Sequence, residues 1–318
     1  MMPMLGRRHF MGGALAAGAL GAGPAKALTV FAGPLADLET KSGGRLGVWA
    51  ICSGRDAFGP VSKNWPVASP WVLGSSRDIM GRFAFCSSFK MSLAALVLDG
   101  AEKGEWRLSE QLAFSEADIL SNSPVTRAKL HKGRMSMLEL AEAAQKFSDN
   151  GAANLLLRRV GGPDRLNRFW AGLGDKTSRL DDYEPALNRV PLGSLSNTTT
   201  PHAMAINLVK MFREDGIAPK AAATLKAWMH DTTTGAKRLR AGLPADWWAG
   251  DKTGTGLPSD IRGTYVDLAW VEPPKLPPFA IAAFYQPPAP TPDGDPKAEA
   301  VLAQVGRIVV QAIVSQRK

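Results

Sequence analysis

Strand-forming patterns occur near both ends of this 318-residue chain, and helix-forming patterns fill the middle. Strands so placed bury their apolar faces only if the two ends meet in one sheet with helices packed around it. Residues 45–52 have the apolar, β-tolerant character of a strand, and a second extended segment is expected around residues 59–65. Strand signals return at residues 247–253, 263–271 and 279–285. Between them, residues 137–146, 151–160, 163–173, 201–213 and 219–230 read as helices, with a good start at Pro163. A short leading helix over residues 35–43 and a final amphipathic one over residues 297–314 complete the pattern. Residues 87–104 are apolar nearly all round, with Met91, Leu93, Ala94, Leu96 and Val97, so this helix belongs in the middle of a core. Residues 179–201 have no periodicity and are rich in Pro, Gly, Ser and Asn; irregular loops of that length are usually functional or disordered.

The first residues are of another kind. Gly6-Arg7-Arg8-His9-Phe10-Met11, a Gly/Ala-rich run to Gly23 and then Ala25-Lys26-Ala27 form the order of a twin-arginine export signal, with cleavage expected after Ala27. The apolar run is about a dozen residues, short of the roughly 20 that span a bilayer. No later stretch reads as a membrane span, so the mature protein is expected to be periplasmic or secreted, without stable membrane insertion. The 45% apolar content fits a packed globular protein rather than a disordered or collagen-like one. Net charge is +9, or +6 once Arg7, Arg8 and Lys26 leave with the signal. The cations are scattered among acids without interleaved aromatics, so no nucleic-acid partner is expected, although an anionic substrate would be welcome. His9, His131, His202 and His230 never fall at ligand spacing and neither cysteine belongs to a metal-spaced cluster, which disfavours a zinc hydrolase. Cys52 and Cys86 are either bridged or two separately buried thiols; spacing does not decide.

Three short motifs carry chemistry. In Ser87-Ser88-Phe89-Lys90, helical spacing puts the lysine beside the Ser87 hydroxyl, a weak nucleophile until a base is adjacent. Alone, such a match is weak, since roughly one is expected by chance in a chain of this composition. Ser148-Asp149-Asn150, in a loop between two helices, offers a hydroxyl to relay a proton and an amide to hold a substrate, and is equally a helix N-cap. Lys252-Thr253-Gly254-Thr255-Gly256 ends an apparent strand; a plain strand end with a turn would need neither the lysine nor two threonines.

In this order, with about sixty and then about a hundred residues between them, the three resemble the S-x-x-K, S-D-N and K-T-G set of penicillin-recognising serine enzymes. Longer phrases, such as Ser123-Pro124-Val125-Thr126 and Gly242-Leu243-Pro244-Ala245-Asp246-Trp247, extend the resemblance to the class A β-lactamases over essentially the whole chain after the signal. The feature that separates class A from its relatives is E-P-x-L-N, matched by Glu184-Pro185-Ala186-Leu187-Asn188 in the long loop, where carboxylate and amide are placed to hold a water.

The resemblance implies an α/β + α fold. An antiparallel sheet flanked by helices would come from residues 28–86 and 231–318, an all-α domain from residues 87–230 including the loop 179–201, and the active site would lie in the cleft between them. It further implies a monomer that opens β-lactam rings without metal or cofactor. Ser87 would be acylated, Lys90 and Glu184 would share base duties, and Ser148 would protonate the leaving nitrogen. Whether Lys90 or Glu184 acts in acylation is disputed for the family. Asn150 would bind the substrate amide, Asn188 would help hold the water, and Lys252, Thr253 and Gly254 would lie on the substrate's carboxylate side. Backbone N–H groups of Ser87 and Thr255 would form the oxyanion hole, and Arg238, with Arg262 as the alternative, would anchor the carboxylate. The chain departs from the pattern at Asn122, where many relatives carry an aromatic, so the cleft mouth is expected to be wide. It departs again at Asp182 and Asn197, where relatives have an arginine and an aspartate; with at most a hydrogen bond between them, the loop is expected to open easily. A DD-peptidase and a non-hydrolytic penicillin-binding sensor are the competing readings, and Glu184 in its motif argues against both.

Overall fold

In a computed structural model of the chain, residues 24–52, 72–74, 81–213, 216–258 and 260–315 are described. The twin-arginine segment up to residue 23 and the extended segment expected at residues 59–65 lie outside them.

The two ends of the chain meet in one antiparallel sheet. Its strands are β1 (Arg45–Cys52), β2 (Val72–Gly74), β7 (Trp248–Gly256), β8 (Thr264–Glu272) and β9 (Phe279–Gln286), ordered β2-β1-β9-β8-β7. Leu46 faces Tyr285 and Val48 faces Ala283, so first and last strands pair in register. Both faces are covered, which explains why the strands are continuously apolar rather than alternating with polar residues. Leu46, Val48, Tyr265, Ile281 and Ala283 pack under α1 (Pro24–Ser42) and α9 (Pro296–Ser315). Their neighbours Trp49, Val266, Leu268, Trp270 and Phe284 enter the opposite core, which the remaining helices share. By length and composition α9 would suffice to cross a membrane, contrary to the reading that no later stretch does; here Leu302, Val305 and Val309 are buried in the core beneath the sheet. The leading helix begins at Pro24, across the expected cleavage point, rather than near residue 35.

The middle of the chain is helical. The apolar segment after Ser87 is α2 (Phe89–Glu102), buried from Phe89 to Gly100 as its composition demands. Around it stand a short α3 (Pro124–Ala128), α4 (Met137–Lys146), α5 (Asn150–Val160), α6 (Gly162–Gly172), α7 (Pro201–Phe212) and α8 (Pro219–His230). Local chemistry sets several starts: Ser136 and Glu139 form a capping box on α4, Asp149 caps α5, and Thr200 caps α7. Two-residue strands β3 (Phe83–Ala84) and β6 (Thr198–Thr199) pair with each other and escaped the periodicity, being too short to carry one. The hairpin β4 (Gln111–Ala113) with β5 (Arg134–Ser136) escaped for the same reason.

The β3–β6 pair positions the site. It ties the exit of the long loop to the residues just before Ser87, while the turn Cys86–Ser88 packs on β7. That approach is so close that a Cβ at Gly254 would lie 2.8 Å from the Phe85 carbonyl and 2.9 Å from the Ser88 nitrogen. Glycine is therefore required on β7 where the nucleophile's turn crosses it.

Candidate active site

Ser87 begins at the end of a strand pair and enters a 3-10 turn that leads into α2, so its hydroxyl stands at a helix N-terminus. One helical turn on, Lys90 Nζ donates to Ser87 Oγ at 2.8 Å, and Ser87 Oγ donates to Glu184 Oε1 at 3.0 Å. The same carboxylate oxygen is 3.0 Å from Lys90 Nζ, with both side chains fully buried. Lys90 also donates to the Ser148 carbonyl at 2.9 Å and to Asn150 Oδ1. Burial pushes the Lys90 ammonium below its ordinary range, and Glu184 works against that fall.

Glu184 is carried on the long loop yet held rigidly. Asn154 of α5 brackets its backbone, donating from Nδ2 to the Glu184 carbonyl at 2.8 Å and accepting from the Glu184 N–H at 3.0 Å. Asn188, on a 3-10 turn four residues ahead, donates to Glu184 Oε2 at 2.6 Å. The Glu184–Pro185 peptide is cis.

The third wall comes from β7. Lys252 Nζ donates to Ser148 Oγ at 3.0 Å and to the Thr253 carbonyl at 2.7 Å. Burial holds its ammonium well below the usual range, and repulsion from Lys90 adds to the fall. With Lys252 donating to it, the Ser148 oxygen is left to direct its own proton into the cleft. Ser148 itself takes a left-handed backbone, φ 56°, in the tight link between α4 and α5. Asp149 fixes that link, accepting from the Val125 and Thr126 N–H groups at 2.8 and 2.9 Å as well as capping α5. The N-cap and the site are thus one segment.

Ser87, Ser148, Asn150, Asn188, Arg238 and the 253–256 stretch of β7 line one cleft of about 620 Å³. Lys90, Lys252 and Glu184 lie beneath it, buried, so every residue expected at the site is in or directly under the cleft. Arg238 sits on the far side of β7, 4% exposed, donating to the Gly254 and Val266 carbonyls at 3.0 and 2.9 Å and to Thr255 Oγ1 at 2.7 Å. Arg262 is exposed and does not line the cleft.

Three expectations change. Asn122 does not simply leave the mouth open: in a left-handed conformation, φ 52°, it turns its amide down to donate to the Ser148 carbonyl at 2.8 Å. Asn197 makes more than one hydrogen bond at the loop's neck, donating to Asp182 Oδ2 at 2.8 Å and accepting from the Asp181 and Asp182 N–H groups at 2.9 and 3.0 Å. An amide both donates and accepts, so it closes the neck where an ion pair is missing. Cys52 and Cys86 are separate buried thiols; Cys86 touches β7, where burial pushes its pKa up. Sequence reading also passed over Asn154 as a brace, although it ends the quoted Ser148–Asn154 phrase, and over Thr234, whose hydroxyl lies 2.6 Å from that of Thr253.

Known proteins show the same arrangement of chain. Residues 78–313 match the model of the β-lactamase enzyme family. β-Lactamase OXY-1 of Klebsiella oxytoca is 36% identical over 279 residues, covering 88% of each chain. The β-lactamase of Mycobacterium tuberculosis is 38% identical over 299 residues, covering 92% of this chain and 90% of that one. A solved class A β-lactamase described as the last common ancestor of Gram-negative bacteria superposes with a TM-score of 0.78 at 39% identity, covering 89% of this chain and 99% of that one. The DD-peptidase and sensor readings find no support beside these matches, and the chain belongs to the class A serine β-lactamases.

Proposed function

We propose that the chain hydrolyses penicillins and cephalosporins through an acyl-enzyme on Ser87, deacylated by a water that Glu184 activates. The observation that carries this reading is the buried set Ser87, Lys90 and Glu184, mutually within 3.0 Å. In acylation the Ser87 proton passes to Glu184 or, through a depressed Lys90, toward Ser148. Ser87 Oγ bonds to the lactam carbonyl carbon, the C–N bond breaks, and Ser148 supplies the proton that the leaving nitrogen takes up. Lys252, held against Ser148 and at the cleft's inner wall, attracts the substrate carboxylate and favours that transfer. Glu184 then takes a proton from water, whose oxygen attacks the ester carbonyl, and Ser87 departs; Asn188 keeps the carboxylate aimed. The twin-arginine pattern supports export to the periplasm or medium and action there as a monomer.

The test is Glu184→Gln, which keeps the shape and removes the proton acceptor. A positioned base contributes about 10² to 10⁴ in rate, so the acyl-enzyme should accumulate. Intact-protein mass spectrometry after adding penicillin is expected to show one adduct, mapping to the Ser87 peptide, with little on the wild type. Wild-type turnover by the variant would remove Glu184 from the role.

A further inference from the structure

A second cavity, of about 350 Å³, lies beyond the long loop and shares no lining residue with the active-site cleft. Arg45 and Arg82 form one wall together with Thr198 and Gln286, and residues 190–194 of the loop form the other. Arg45 is set in place by neutral groups: it lies over the Phe83 ring at 4.0 Å and donates to the Arg82 carbonyl at 2.9 Å and to Gln286 Oε1 at 3.1 Å. Arg82 donates from Nη1 to Thr198 Oγ1 at 2.9 Å, and among the described residues it meets no carboxylate. No described residue that lines the cavity is acidic.

Two guanidiniums facing one space repel each other, and a guanidinium has five N–H donors, of which Arg82 commits one to a protein acceptor. An oxyanion would relieve the repulsion and engage the free donors in charge-assisted bonds. The facing wall differs in character, since Val190, Pro191 and a 99% exposed Leu192 are apolar. A ligand matching both walls has an anionic head and a small apolar body.

The cavity is also wired to the loop that carries Glu184. Thr198 Oγ1, which accepts from Arg82, donates to the Leu195 carbonyl at 2.7 Å. The Thr198 backbone exchanges hydrogen bonds of 3.0 Å with Arg179 across the loop's neck, beside Asn197. An anion held by Arg82 therefore grips the exit of the loop.

We propose that this cavity binds a small organic oxyanion, a carboxylate or phosphate monoester bearing an apolar group, and that occupancy steadies the neck of the Glu184 loop. Phenyl phosphate is the probe and inorganic phosphate the charge-only comparison, both at constant ionic strength, with binding located by amide hydrogen exchange. Phenyl phosphate should slow exchange saturably over residues 190–198, and inorganic phosphate should protect the same amides at higher concentration. Losing a charge-assisted contact corresponds to at least about a tenfold change in affinity, so Arg82→Gln should weaken phenyl phosphate by that factor or more. Leu192→Asp, at a fully exposed position that cannot disturb folding, should also weaken it by placing a carboxylate on the rim. Protection confined to amides near Ser148 and Thr253 would assign the anion to the active-site cleft and overturn the proposal. So would unchanged affinity in both variants, or no saturable protection at all.

Discussion

β7 separates two buried charged clusters, and they are built on opposite terms. In front lie Lys90, Lys252 and Glu184, where both ammonium groups and both carboxylate oxygens have hydrogen-bond partners. Behind lie Asp251, Asp267, Arg238 and Arg240, where Asp251 Oδ1, Asp267 Oδ1 and Arg238 Nε have none. Asp251 does hold Arg240 Nε at 2.6 Å, and Asp267 accepts from the Leu239 N–H at 2.9 Å, so each carboxylate is only half satisfied. The difference teaches where proton traffic and where pH sensitivity reside. A matched cluster keeps its charges in place and is ready to move a proton along an existing bond. An unmatched one takes up protons from solvent instead: burial raises the Asp251 carboxyl to about 6, and burial together with repulsion from Asp251 raises Asp267 well above the usual range.

The contrast is broken most severely by removing the cation that every front group shares. Lys90→Met leaves Glu184 buried without its ion pair and Ser87 without its donor. Acylation measured by burst kinetics should fall by about 10² to 10⁴; acylation at the wild-type rate would mean that the front cluster is structural only.

Arg238 belongs to the rear cluster by burial yet borders the cleft through Thr255. If it anchors the substrate carboxylate, Arg238→Ala should raise KM by about 10- to 100-fold, the equivalent of one charge-assisted bond. Arg262→Ala should leave KM unchanged, and the reverse pattern would transfer the role to Arg262.

The rear cluster's pH response is exposed by Asp267→Asn, which keeps the acceptor for Leu239 and removes one buried carboxylate. A raised carboxyl binds more protons in the folded state, so its contribution to stability is full below the ordinary carboxylate range. That contribution is lost as pH rises through the folded value, about 6 for Asp251. Urea unfolding from pH 4 to pH 8 should therefore show a smaller loss of stability with rising pH in the variant than in the wild type. An equal or steeper loss in the variant would show that the rear carboxylates do not titrate.

The smallest effect sharpens the picture of the front cluster's outer edge. Asn122→Leu deletes the bond to the Ser148 carbonyl, which should cost about 0.5 to 1.5 kcal/mol in unfolding free energy. It should also slow proton delivery to the leaving nitrogen slightly, and unchanged stability would show that Lys90 alone holds that carbonyl.

Much was legible without coordinates wherever the controlling distance was three or four residues. The Ser87 to Lys90 contact follows from helical spacing, the Asn188 to Glu184 contact spans four residues of one turn, and the cap of α5 comes from Asp149 three residues before the N–H it accepts. Helix and strand positions followed from apolar periodicity, which reports burial directly, so β1, α4 and α8 have the bounds their patterns imply. What only the tertiary structure decided lies across long chain separations. Lys252 reaches Ser148 over 104 residues and Ser87 reaches Glu184 over 97, fixed by sheet register and by the β3–β6 tie. Asn122 and Asn197 were readable as missing groups but not as hydrogen bonds made, because an amide's partners depend on backbone conformation, and both residues are left-handed. The unmatched carboxylates behind β7 left no trace in the pattern at all. A sequence records which side chains are polar, whereas desolvation and the partners that offset it exist only once both faces of a strand have been covered.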